Sequence, residues 1–199
     1  MLKFYPESHV YELGGVKIPS LSEILTQAGV SDYSNVSEEI LRKSAAFGKA
    51  VHLACQYFDR GSLDESTLDC NLKPYLTGWI NFCEDFKCEW LVIEEPMCSK
   101  KLMYGTTPDR IGCVKGRISG VEIKATAKLM ASTAIQTAAH AMAYNETAPR
   151  GMKILDRYGV LLLPDGVNER NYKMEKYKKK SDESVFRSAL NIYNWKKKG

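Results

Sequence analysis

Apolar positions recur at helical spacing in five stretches of the chain and alternate with polar ones in several others. HVYELGGVKI (residues 9–18) alternates on both sides of Gly14-Gly15, which predicts a small hairpin. Ser20 then precedes LSEILTQAG, a short helix with Ser20 as N-cap and Gly29 just past its end. A longer helix is predicted from Ser37 to Arg60, capped by Ser37 and with Glu39 in its first turn. Asn71 to Phe86 forms another, with Leu72, Leu76, Trp79, Ile80 and Cys83 on one stripe.

The pattern then changes to strands: Trp90–Cys98, Tyr104–Val114 and Ile118–Ala125. Ala131 to Glu146 is alanine-rich and helical, and Ser181–Trp195 closes the chain as an amphipathic helix. Between them, Arg157–Leu163 and Asn168–Glu175 read as a β-pair around the turn Pro164-Asp165-Gly166. Helices, strands, a helix, strands and a helix in that order imply an α/β fold, a mixed central sheet flanked by helices. No repeat, low-complexity tract or linker interrupts residues 1–199, so one domain is expected.

Composition fits a soluble globular chain of 199 residues, long enough to bury about 70% of its unfolded surface. No apolar run approaches the roughly 18 residues that span a bilayer, so no membrane partner is expected. The first residues, MLKFYPESHVYELGG, lack the basic start and apolar stretch of a signal peptide, which favours an intracellular, cytoplasmic setting. Six cysteines without a C-x-x-C pair agree and read as buried reduced thiols; a metal site built on Cys83 and Cys88 is the weaker alternative. The net charge of +4 is uneven: from Arg170 to Gly199 ten Lys/Arg face three acidic residues, a basic block suited to a polyanion.

Candidate chemistry lies in GTTPDRIGCVKGRISGVEIKATAK, residues 105–128. Along a strand, Glu122 and Lys124 share one side while Val121, Ile123 and Ala125 share the other. A turn between Cys113 and Ser119 brings Asp109 back beside them. Two carboxylates and an amine at one end of a hairpin can hold Mg²⁺ and stabilise a phosphorane-like transition state. A solvated edge strand gives the same alternation, so the hairpin alone leaves both readings open.

Pro108-Asp109 … Glu122-x-Lys124 resembles the motif of the PD-(D/E)xK nuclease superfamily, whose core is restriction-endonuclease-like. The likeness extends to the RecB-like and phage exonuclease branch, which includes the mitochondrial genome maintenance exonuclease. GKAVH (Gly48–His52) resembles its G-x-x-x-H helix, VIEEPMCSKKLMYGTTPDRIG its E…Y-x-G-T-x-D-x-x-G strand pair, and QTAAHAMAY its Q-x-x-x-Y helix. GGVKIPSLSEIL and RYGVLLLPDG also resemble stretches of that branch, so the likeness runs from about Tyr11 to Trp195. Two positions depart from the pattern: His140 stands where the branch has Tyr, with Tyr144 one turn on, and Thr106 stands where it usually has Gly.

The resemblance implies a Mg²⁺-dependent deoxyribonuclease, with Mn²⁺ substituting, that acts as an exonuclease on DNA ends or single strands. Asp109 and Glu122 would be the principal metal ligands, joined by the Ile123 carbonyl, by His52 and by an acidic residue of the preceding strand. Glu94 or Glu95 would supply that last group, and Glu94 is favoured because it lies ten residues before Tyr104. Lys124 would be the catalytic lysine and Gln136 would orient it or touch DNA. His140, Tyr144, Lys178, Lys179 and Lys180 would face DNA, with Tyr172, Tyr177 and Trp195 as further candidates. Without the clustered C-terminal cysteines of some members, no iron–sulfur cluster is expected. A structure-specific endonuclease and a catalytically silent DNA-binding module are the alternatives, and a phage or mobile-element DNA-processing role fits the compact build.

Overall fold

The computed structural model describes residues 1–31 and 36–198; Gly199 and the Lys198 side chain, part of the basic block, lie outside the described residues. Three short strands come first: β1 (Leu2–Tyr5), β2 (Val10–Leu13) and β3 (Val16–Ile18) form an antiparallel sheet. The sequence pattern shows the hairpin of β2 and β3 around Gly14-Gly15, both at positive φ, but not β1. Helix α1 (Leu21–Gln27) starts where expected, with the Ser20 hydroxyl accepting from the Glu23 N–H. Helix α2 (Glu38–Asp59) is capped in the same way by Ser37.

Helix α3 (Lys73–Phe86) buries Leu76, Trp79, Phe82 and Phe86, whereas Ile80 of the predicted stripe is only half-buried. Strands β4 (Glu89–Ile93), β7 (Arg110–Val114), β8 (Arg117–Lys124), β9 (Asp156–Leu162) and β10 (Tyr172–Tyr177) build the central sheet in the order β10-β9-β8-β7-β4. Only β8 and β9 run parallel, joined across helix α4 (Ala131–Thr147); every other pair is antiparallel. The expected mixed sheet flanked by helices is therefore present.

Two predicted strands are each split in two. Trp90–Cys98 breaks after Ile93, and its second half, β5 (Met97–Ser99), pairs with β6 (Tyr104–Thr106) in a separate ribbon. Tyr104–Val114 breaks between β6 and β7. Pro96 and Pro108 lie in the two gaps, and neither has an N–H to give a ladder. Glu94, at φ 52°, leaves strand geometry as well. β10 also begins at Tyr172 rather than Asn168.

The sheet face carrying Val121, Ile123, Val160 and Leu162 packs on Val51 and Cys55 of α2 and on Trp79, Phe82 and Phe86 of α3. Each fully buried side chain of this size is worth about 1.5–3 kcal/mol. On the other face lies α4, which buries Ala138, Ala139, Ala141 and Ala143. Small residues let α4 sit tightly between the sheet and helix α5 (Ser181–Lys198), whose Phe186, Ala189, Leu190 and Tyr193 complete a second core with α1. Of the cysteines only Cys55 is fully buried; Cys70 is exposed and the rest are half-buried, so the expectation of six buried thiols is too broad. Among the described residues, no helix is long and apolar enough to cross a membrane.

Candidate metal centre

Lys115 and Gly116, at φ 50° and 76°, make the two-residue turn that folds β7 onto β8. That register pairs Arg110 with Val121, so Asp109 at the head of β7 arrives beside Glu122. Asp109 is anchored there by the backbone: its Oδ2 accepts the Ile123 N–H at 2.6 Å. Its carbonyl accepts the Glu94 N–H at 3.1 Å and Arg110 Nη1 at 2.6 Å. The strand breaks thus place Glu94 and Asp109 together at the open end of the sheet.

His52 reaches the same point from α2. Its Nδ1 lies 3.3 Å from Glu94 Oε1 and 3.4 Å from Asp109 Oδ1, and its Nε2 lies 3.1 Å from the Ile123 carbonyl. One donor atom each from His52, Glu94 and Asp109 falls within 4.8 Å of the others, and no other such group occurs among the described residues. Burial works against a charged His52, but Asp109 and Glu94 outweigh it and push its pKa up to about 10. Burial also raises the Glu94 carboxyl, with His52 opposing. Two carboxylates and an imidazole, with His52 and Glu94 partly open to solvent and Asp109 buried, fit a divalent metal ion.

Glu122 is 4% exposed and spends both oxygens on neighbours. Oε1 accepts from Lys124 Nζ at 2.8 Å and Oε2 from His140 Nε2 at 3.1 Å. Burial opposes its charge, yet Lys124 and His140 hold the carboxyl well below the ordinary carboxylate range. Glu122 stands outside the three-residue group formed by His52, Glu94 and Asp109. In β9 its register partner is Gly159, where a side chain would meet the Tyr177 hydroxyl.

No protein-family model matches the chain, and no curated protein matches it. Among solved structures, it is similar to the crystal structure of LHK-Exo in complex with dAMP. The two are 13% identical with a TM-score of 0.40, over 91% of this chain and 92% of that one.

The remaining sequence-chosen residues fall in varied places. Gln136 lines a cavity with Lys124 and another with Glu122. His140 is 5% exposed, bonded to Glu122 and Thr106, and lines the cavity beside Glu122. Tyr144 packs beside Ile111, Ala141 and Ile154. Glu95 points to solvent, leaving Glu94 as the acidic group in the cluster. Lys178, Lys179 and Lys180 are exposed, whereas Arg170 is bonded to Asp85, and Lys176 to Asp156. Tyr172 donates to Asp85, Tyr177 packs over Gly159, and Trp195 is exposed on α5.

Sequence reasoning missed Asp59, Trp79 Nε1 and Arg110. Arg110 Nε donates to Asp59 Oδ2 at 2.6 Å, Trp79 Nε1 donates to both Asp59 oxygens, and Arg110 Nη1 lies 3.4 Å from Glu94 Oε1. The signal was a charge at Arg110, in register with the core-facing Val121.

Proposed function

We propose that this chain is a divalent-metal-dependent deoxyribonuclease of the PD-(D/E)xK superfamily, in its RecB-like and phage exonuclease branch. On this reading, residues 1–199 form one restriction-endonuclease-like domain that hydrolyses phosphodiester bonds at DNA ends or in single strands. The observation that carries it is the meeting of His52, Glu94 and Asp109 from three elements, beside a Glu122–Lys124 pair on β8.

Asp109, Glu94 and His52 would hold the ion, with Glu122 and the Ile123 carbonyl bordering it. A bound Mg²⁺ or Mn²⁺ would lower the pKa of water and draw charge off the phosphate oxygens. Lys124 then offers an ammonium fixed by Glu122 to the developing negative charge. Gln136, at the mouth beside Lys124, offers an amide that can orient the attacking water or the backbone. The exposed Lys178–Lys180 run supplies sequence-independent attraction for the polyanion.

One gel tests this: end-labelled DNA, single- and double-stranded, linear and circular, with Mg²⁺, Mn²⁺ or EDTA. Metal-dependent loss of linear DNA with circles intact is the expected result. Cleaved circles would point to an endonuclease on the same core, and DNA bound but uncut under every condition would indicate a silent module.

A further inference from the structure

We propose that Tyr11 of the N-terminal sheet is a positioning residue of the metal centre, acting on Asp109 through its hydrogen bond with Thr107. This rests on the nuclease reading and adds to it a residue from outside the central sheet and α2.

Side chains alternate along β6 and the residue that follows it. Tyr104 and Thr106 turn to α4, where the Tyr104 hydroxyl donates to the Ala139 carbonyl at 2.7 Å and Thr106 meets His140. Gly105 and Thr107 turn the other way, and Tyr11 is the group they meet. Its ring lies so close over Gly105 that a Cβ there would collide with it. Gly105 has no positive φ, so this close approach alone calls for glycine. The Tyr11 hydroxyl then shares a 2.6 Å hydrogen bond with Thr107 Oγ1. Backbone holds the approach as well: the Gly105 N–H donates to the Pro19 carbonyl at 2.8 Å. Burial raises the Tyr11 pKa, the Thr107 bond opposes the rise and the Glu94 charge adds to it, so the phenol keeps its proton at neutral pH.

Only Pro108 separates Thr107 from Asp109. The proline ring fixes its own φ and confines Thr107 to extended backbone, so little torsional slack lies between the Tyr11 bond and the Asp109 carboxylate. The bonds from the Glu94 N–H and Arg110 to the Asp109 carbonyl hold that residue on its C-terminal side. The Tyr11–Thr107 bond holds it on the N-terminal side. Asp109 lies just past the β7–β8 ladder, and its Oδ2, not a backbone carbonyl, accepts the Ile123 N–H. Oδ1 is then the oxygen turned to His52 Nδ1, 3.4 Å away. A shift at Thr107 therefore moves Oδ2 off the Ile123 amide and Oδ1 off its meeting point with His52 and Glu94. Metal ligands tolerate displacements of only about 0.2 Å, so affinity for the ion falls with that shift.

Amide hydrogen exchange of the metal-free protein, read by NMR, and Mn²⁺ titration followed by electron paramagnetic resonance test this. Tyr11→Phe keeps the ring over Gly105 and loses only the hydroxyl, Thr107→Val keeps the shape of Thr107, and Thr107→Ser keeps its hydroxyl. In Tyr11→Phe and Thr107→Val the Ile123 amide should exchange about fivefold faster or more. The Ser119 amide, farther along the same strand, should keep the parental rate. Each of these two variants should bind Mn²⁺ about 3–10-fold more weakly, and the double variant no more weakly than the worse single one. Thr107→Ser should bind it as the parent does. A bond that merely stabilised the N-terminal sheet would lower the unfolding midpoint and leave both readouts unchanged. Parental Ile123 exchange in both hydroxyl-deficient variants overturns the assignment, whatever their metal affinity. That exchange is read without metal or DNA, so its failure is separate from failure of the nuclease reading, which the gel decides.

Discussion

The Thr106 hydroxyl lies 2.7 Å from His140 Nδ1, joining the two positions at which the chain departs from the motif it otherwise resembles. A carboxylate only accepts, so His140 Nε2 donates to Glu122 while Nδ1 shares a hydrogen bond with the Thr106 hydroxyl. The two departures form one unit that fixes Glu122. Replacing His140 with Ala should lower metal affinity or turnover about 10–100-fold. Thr106→Val should cost less, and the double variant should cost less than the sum of the two. Strict additivity in that double-mutant cycle would show the contact to be idle.

Lys124→Ala removes the ammonium 2.8 Å from Glu122 Oε1. Mg²⁺-dependent degradation should fall by about 10²–10³ or more, with oligonucleotide affinity largely kept. Asp109→Asn should be as damaging through loss of the ion. Turnover of Lys124→Ala at the parental rate would remove the lysine from the chemistry.

Against burial, Asp109 and Glu94 push the His52 pKa from an ordinary 6.5 up to about 10. A raised imidazole stabilises the fold fully below pH 6.5, and that contribution is lost as pH climbs through about 10. A metal ion needs the neutral ring, so its binding expels a proton and Mn²⁺ affinity should rise about tenfold per pH unit between 7 and 9. Titration calorimetry in buffers of different ionisation heat should detect the released proton. His52→Ala should bind more weakly and with a flatter pH profile.

Arg110 and Asp59 form an ion pair whose side chains are 0% and 2% exposed. Arg110→Met strips the buried Asp59 carboxylate of its guanidinium partner and leaves it to the indoles of Trp79 and Trp90, which should cost about 3–5 kcal/mol. Urea unfolding measures this directly. The same change frees Glu94 from Arg110 Nη1, so metal affinity should shift as well.

Neutralising Lys178, Lys179 and Lys180 to Gln should weaken DNA binding at low salt and flatten its salt dependence by about 2 for a single strand. The rate at saturating DNA should not change. A drop in that rate with binding intact would place these lysines in the chemistry instead.

Much of this arrangement is legible in the sequence. Alternation places Glu122 and Lys124 together, and the turn at Lys115-Gly116 is short enough to fix their register with Asp109. Caps at Ser20 and Ser37 mark two helix starts, because a hydroxyl there satisfies a free backbone N–H. The strand breaks are harder to read: apolar character continues on both sides of Pro96 and Pro108 and hides their effect on the ladder. The Thr106–His140 contact spans 34 residues and leaves no local pattern. Nor does periodicity reveal that α4 is covered on two sides, since alanines pack well in either direction.

The two proline gaps have one further consequence. The cluster draws His52 from the helical layer, and Glu94 and Asp109 from interrupted ends of the sheet, 42 and 15 residues further along the chain. Glu94 and Asp109 meet through the pairing of β4 with β7, but His52 arrives only with α2, so the chelate can close only after α2 has docked. An ion bound there would act as a rivet between layers, stabilising the assembled chain by an amount that grows with the logarithm of its concentration. The protein would then be able to cut only once it had finished folding.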